Sequence, residues 1–129
     1  FWCLSKSKKN VVRGLHLQKK SQQDKFVSVV KGKIFDVVVD LRKNSKTYKK
    51  WQSFNLDDKN KQILIVPEGC AHAFQSLKDN VEIMYFCSKS YNPQKEAGVR
   101  WNDKKFNIKW PLKLSGISDK DKFWKDYNG

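Results

Sequence analysis

The 129 residues contain only two histidines, His16 and His72, each in a distinctive setting. His16 lies in Arg13-Gly14-Leu15-His16-Leu17-Gln18, and His72 in Pro67-Glu68-Gly69-Cys70-Ala71-His72. A histidine's ordinary pKa of about 6.5 suits proton transfer at neutral pH, and its neutral ring can also hold a metal. Asp36 and Asp40 flank the apolar run Val37–Val39. An acid in such a run is costly to bury without a partner, so packing does not account for it. Other polar residues have plain readings when taken singly. His16 could be a structural ring bonded to backbone, and Tyr85, in VEIMYFC, could be core. Asp121 fits the acid of a capping box that starts at Ser118. Lys25 is one lysine among many, and Arg13 could answer a nearby carboxylate.

No metal is expected. Two histidines and one acid could in principle make a facial triad. However, no H-x-H occurs, and no Asp or Glu stands at a short offset after His16. Cys3, Cys70 and Cys87 are odd in number and widely spaced, which fits neither a zinc motif nor a disulfide framework. They read as small hydrophobes in a reducing cytosol, and a cytoplasmic location is expected.

The formal net charge is +14, which raises nucleic acid as a partner. Of the 27 basic residues, only Arg13, Arg42 and Arg100 are Arg. Arg is the residue suited to bidentate reading of bases and phosphates, and the lysines are spread along the chain. Nucleic-acid binding is therefore not expected, although a positive field would help attract a small anion such as a nucleotide diphosphate. The apolar runs are far shorter than the roughly 20 residues of a membrane-spanning helix, so no membrane partner is expected.

Short β-rich runs separated by turns dominate the chain. Phe26–Val30 and Ile34–Leu41 flank a Gly-containing link and read as a hairpin. Trp51–Leu56 alternates as a half-buried strand does, and Ile63–Val66 is an apolar strand ending at Pro67. Ala73–Leu77 and Val81–Cys87 are split by a tight turn at Lys78-Asp79-Asn80. Ser118 reads as the N-cap of a short helix over Asp119–Lys125. This spacing predicts an all-β sandwich or barrel.

The segment around His72 has the P-x-G-x-x-H pattern of cupin-type jelly rolls, in which the His opens a strand facing the barrel interior. Further segments carry a more specific likeness. They are Ser5–Gln18, Lys25–Arg42, Ser45–Trp51, Gln62–Phe74, Glu82–Pro93, Gly98–Pro111 and Ile117–Asp121. In order and spacing the chain resembles the dTDP-4-dehydrorhamnose 3,5-epimerase family. The resemblance implies one jelly-roll (cupin-like) domain over 1–129 with a short C-terminal helix and without the family's N-terminal segment. Phe1-Trp2-Cys3 departs from the family's Q-x-N at that point.

The resemblance implies an isomerase that uses neither NAD, flavin nor metal. It would invert C3 and C5 of a nucleotide-linked 4-keto-6-deoxy sugar, in deoxysugar and surface-polysaccharide biosynthesis. His16 matches the family's base, Asp121 its partner acid, Tyr85 the proton donor on the other face, and Lys25 the cation near the enolate. His72 and Asp36 match positions lining the same cavity, and Arg13, Tyr91, Glu96 and Lys120 match contacts to the nucleotide or diphosphate. A homodimer is implied. Two other readings stay open: a related enzyme that acts at one carbon or moves the keto group, and a non-catalytic binder of nucleotide sugars. The set of His16, Tyr85, Asp121 and Lys25 favours an enzyme, since a pure binder needs no acid and base on opposite faces.

Overall fold

The computed structural model describes residues 2–18, 24–88, 94 and 96–129. The described residues form ten strands and one helical turn: β1 Trp2–Ser7, β2 Val11–Gln18, β3 Lys25–Lys31, β4 Lys33–Asp40, β5 Trp51–Asp57, β6 Ile63–Val66, β7 Cys70–Ser76, β8 Val81–Cys87, β9 Glu96–Gly98, β10 Gly116–Ile117 and α1 Asp119–Lys122. One sheet has the order β1-β8-β3-β6, and the other the order β10-β2-β7-β4-β5, with β9 also paired to β2. All pairs are antiparallel except β10 with β2. The expected β-sandwich is present.

Two expectations about connectivity are corrected. β3 and β4 do not form a hairpin: β3 pairs with β6 and β8, and β4 with β5 and β7. Gly32, at φ +94°, is the point where the chain crosses from one sheet to the other. Its turn is tight, and a Cβ would lie 2.8 Å from a Val81 methyl. The two runs are apolar because each faces the other sheet, a pattern that a hairpin would share. The C-terminal helix is also shorter than expected. It ends at Lys122, with Phe123 as C-cap, instead of running to Lys125.

Alternation sorts the side chains into two cores. Val27, Val29, Ile34, Leu56, Val66, Phe74, Val81 and Ile83 fill the space between the sheets. Leu15, Phe35, Val37, Val39, Ala71 and Ala73 point the other way and are covered by Val99, Phe106 and Ile108 from the C-terminal stretch. β4 is therefore buried on both faces, which explains its nearly unbroken apolar sequence. Asp36 shares the inward parity of Ile34, and Asp40 follows at the strand end. Asp40 is structural: its carboxylate accepts from the Arg42 guanidinium (3.0 Å), Ser45 Oγ and Thr47 Oγ1 (both 2.5 Å), clamping the following loop.

β2 carries the feature that shapes the site. Arg13 faces Phe74 and His16 faces His72 on β7, with a register shift between them. Three residues apart on a regular strand, Arg13 and His16 would lie on opposite faces; the β-bulge at Gly14 and Leu15 turns both to the inter-sheet side. Gly14 has φ +133°, and a Cβ there would come within 2.7 Å of Ala73 Cα and the His72 carbonyl. Only glycine fits this bulge. Gly14→Ala is expected to destabilise the protein by about 2–3 kcal/mol, a fall in Tm of roughly 6–12 °C in thermal melts. An unchanged Tm would show that the bulge does not depend on this residue.

Candidate active site

Between the sheets lies a cavity of about 310 Å³. Arg13, His16, Lys25, His72, Tyr85, Glu96 and Lys120 line it. Its two walls come from different sheets. β2 and β7 supply His16 and His72, with Asp36 of β4 behind His72. β3 and β8 supply Lys25 and Tyr85 from the other side. Lys25 pairs in register with Cys87, two residues beyond Tyr85, and its Nζ lies 6.0 Å from the Tyr85 ring centre.

His16 and Asp121 form a dyad, with Nε2 2.5 Å from Asp121 Oδ1. Because the carboxylate can only accept, Nε2 carries the proton and Nδ1 is left to take another. Asp121 is buried, with 1% of its surface exposed, and two further donors hold it. Trp124 Nε1 donates to Oδ1 at 2.9 Å and Gly14 N donates to Oδ2 at 3.3 Å. Burial by itself raises the Asp121 pKa. The His16 bond and charge, the indole and the Gly14 N–H outweigh it, and the net shift is downward. Ser118 caps α1 by accepting from Asp121 N at 3.2 Å, as the capping-box reading expected. Asp121 thus serves both the helix start and the dyad.

A second pair lies deeper. His72 Nε2 is 2.8 Å from Asp36 Oδ2, and both side chains are buried. Desolvation pushes the His72 pKa down and the Asp36 pKa up, with their mutual attraction opposing both shifts. Burial thus disfavours the doubly charged form of this pair. Lys25 keeps some contact with solvent, yet loss of water around its ammonium lowers its pKa. The nearby Cys87, Asp36, Glu96 and Cys3 act in the opposite direction. Burial raises the Tyr85 pKa, so its phenol is a neutral donor at pH 7.

The mouth is charged. Lys120 Nζ donates to both Glu96 carboxylate oxygens, at 3.0 and 3.1 Å, and Arg13 Nη2 donates to the Lys6 carbonyl at 3.1 Å. The alternative reading of Arg13, as the partner of a carboxylate, finds no support among the contacts of the described residues. Tyr91 lies outside the described residues. Of the ten residues singled out in the sequence, Tyr91 is therefore unplaced, eight line the cavity or form the His16 dyad, and Asp36 stands behind His72. Among the described residues, no group of three or more His, Cys, Asp and Glu is placed to hold a metal ion.

Sequence reasoning missed several members. Cys3 and Cys87 line the cavity as free cysteines on the Lys25–Tyr85 side. Gln18 lines it too; its Oε1 is buried and has no hydrogen-bond partner among the described residues. Gln18 shares its face with His16 two residues earlier, a parity signal that was present in the sequence. Trp124 gave no such signal, because it lies beyond the helix and reaches Asp121 through a turn.

Comparison with known proteins agrees with this geometry. The family model described as dTDP-4-dehydrorhamnose 3,5-epimerase matches residues 3–128. A dTDP-4-dehydrorhamnose 3,5-epimerase of Methanothermobacter thermautotrophicus is 44% identical over 94% of this chain and 67% of its own length. One from Shigella flexneri is 47% identical over 91% of this chain and 65% of its own length. The chain thus spans about two thirds of the length of these curated relatives. A Legionella pneumophila dTDP-6-deoxy-D-glucose-3,5-epimerase, solved in complex with dTDP-4-keto-L-rhamnose, superposes with a TM-score of 0.94 at 37% identity. That match covers 98% of this chain and 68% of the other. With a family match over nearly its whole length, close sequence relatives and a matching fold, the chain belongs to the dTDP-4-dehydrorhamnose 3,5-epimerase family.

Proposed function

We propose that this chain carries the proton-transfer centre of a cofactor-independent epimerase. Its substrate would be a nucleotide-linked 4-keto-6-deoxy sugar, dTDP-4-keto-6-deoxyglucose, inverted at C3 and C5. One observation carries the reading: His16 and Tyr85 line one cavity from opposing sheets. Inversion beside a ketone needs a proton removed from one face of the ring and another delivered to the opposite face. A sandwich supplies two opposed walls, and here each wall holds one of the two groups.

The steps follow from the residues. His16 Nδ1 takes the proton alpha to the ketone, and Asp121 stabilises the imidazolium that forms. The C–H electron pair moves onto the carbonyl oxygen as an enolate. Lys25 faces that charge; its ammonium is poorly solvated, so a developing anion beside it restores what burial removed. As the enolate collapses back to the ketone, Tyr85 donates its phenolic proton to carbon from the other side, and the cycle closes when solvent takes the proton from His16 and returns one to the Tyr85 phenolate. Arg13, Glu96 and Lys120 meet the diphosphate and nucleotide at the mouth, together with Tyr91, and an incoming diphosphate competes with Glu96 for Lys120. His72 and Asp36 line the base side. The chemistry needs no redox cofactor, since the carbon skeleton keeps its oxidation state overall. A cytoplasmic setting fits the three free cysteines, and among the described residues no helix is long and apolar enough to cross a membrane.

The same reading includes a homodimer through the outer face of the β1-β8-β3-β6 sheet. Register sets Trp2, Phe86, Phe26 and Ile65 in one row and Leu4, Met84, Ser28 and Ile63 in the next. Trp2 is 70% exposed, Ile63 64% and Ile65 57%, a broad apolar face that suits a second copy of itself.

His16→Ala is expected to lower turnover of dTDP-4-keto-6-deoxyglucose at least about a hundredfold with the circular dichroism spectrum unchanged. Turnover above that level would remove His16 as the base. Tyr85→Phe is expected to lose or redirect reprotonation, read as a lower rate or a product inverted at fewer centres; unchanged rate and stereochemistry would remove Tyr85 from the mechanism. Light scattering should give a dimer mass that the double variant Met84→Lys, Ile65→Lys reduces to a monomer. A dimer that survives both lysines would place the interface elsewhere.

A further inference from the structure

Asp121 Oδ1 is shared: it accepts from His16 Nε2 at 2.5 Å and from Trp124 Nε1 at 2.9 Å. We propose that Trp124 is a positioning residue of the dyad, which aims the Asp121 carboxylate at His16 and screens it from water. This rests on the proton-transfer reading of the cavity.

Three observations place the indole. Gly98 of β9 lies opposite His16 in register, and a Cβ on Gly98 would overlap the Trp124 ring. The ring therefore packs flush against backbone beside the base. The His16 and Trp124 ring centres are 6.3 Å apart in an edge arrangement. The chain around Trp124 is itself tied down, since Arg100 N donates to the Lys125 carbonyl at 3.1 Å and Arg100 Nε to the Trp124 carbonyl at 3.4 Å. A turn after a four-residue helix is thereby held against β9.

The physical role follows. A carboxylate that orients a histidine needs a fixed plane, because rotation about Cβ–Cγ would swing its lone pairs away from the ring. His16 and Trp124 both bind Oδ1, while Gly14 N fixes Oδ2. Three donors from three segments determine the plane. The indole also covers the carboxylate with a surface that water cannot penetrate, so the charge of Asp121 acts on the imidazolium in a poorly screened setting. Trp124 stands behind the dyad and does not line the cavity. Its loss should therefore act on the chemical step and not on binding.

The test uses Trp124→Phe, which keeps an aromatic ring over Gly98 and removes the N–H. With wild type active on the 4-keto sugar, kcat is expected to fall about tenfold while KM stays within about twofold. A kcat within twofold of wild type would overturn the proposal, since packing alone survives in Phe. A second readout is independent of turnover. In the folded wild type, the indole N–H signal lost in Trp124→Phe should lie downfield and exchange slowly with solvent, and Asp121→Asn should move it. An indole N–H that exchanges as fast as an exposed one would equally overturn it. If wild type itself shows no turnover, the functional reading fails, while the indole signal still reports on the contact.

Discussion

The bulge in β2 is the constraint on which the site depends. A strand alternates its side chains, so a regular β2 could present either Arg13 or His16 to the cavity but not both. One inserted residue at Gly14 and Leu15 resolves this, and it does more. It brings Gly14 N within reach of Asp121 Oδ2, so the backbone distortion that aims His16 also anchors the carboxylate bonded to it. The close approach of Gly14 to Ala73 and the His72 carbonyl leaves no room for a side chain. A single glycine thereby links two sheet partners and the C-terminal turn to one reactive geometry.

The electrostatics of the cavity form a second layer. Lys25, Asp36 and His72 each lose solvation between the sheets, and each shift opposes its charged form. Such a site is poorly suited to an empty, fully charged state and well suited to an anion that arrives or develops within it. The Asp121 carboxylate is the exception: enough donors surround it to hold it ionised despite burial. One wall thus carries an oriented histidine with an ionised carboxylate behind it, and the other a neutral phenol beside a poorly solvated cation. In the proposed mechanism, that asymmetry would give removal and delivery of a proton their separate sides.

Much of this was legible in the residues. Period-two patterning and turn residues marked β5, β6 and β8 closely, because those strands have one clear apolar face or a Pro or Asn boundary, whereas β7, buried along its whole length, begins at Cys70 and not at Ala73. The acid at Asp36 was legible as anomalous because burial of a carboxylate is costly, and the structure supplies His72 as its partner. Connectivity was not legible. β3 and β4 look like a hairpin because both are apolar, and nothing local distinguishes a pair in one sheet from a pair facing across a sandwich. The bulge was invisible for a related reason: Arg13-Gly14-Leu15-His16 alternates acceptably until β7 sets the register. Trp124 was missed because its contact to Asp121 depends on where a short helix ends, and sequence patterns place helix ends least well.

The claim that base and acid act from opposed walls is tested most directly by proton exchange. The chain is incubated with dTDP-4-keto-6-deoxyglucose in D2O, and the sugar C3 and C5 protons are followed by NMR. Deuterium should enter both positions in wild type and neither in His16→Ala above the enzyme-free rate. No exchange by a folded wild-type sample that demonstrably binds the nucleotide sugar would contradict the account and leave a binding protein in place of an epimerase.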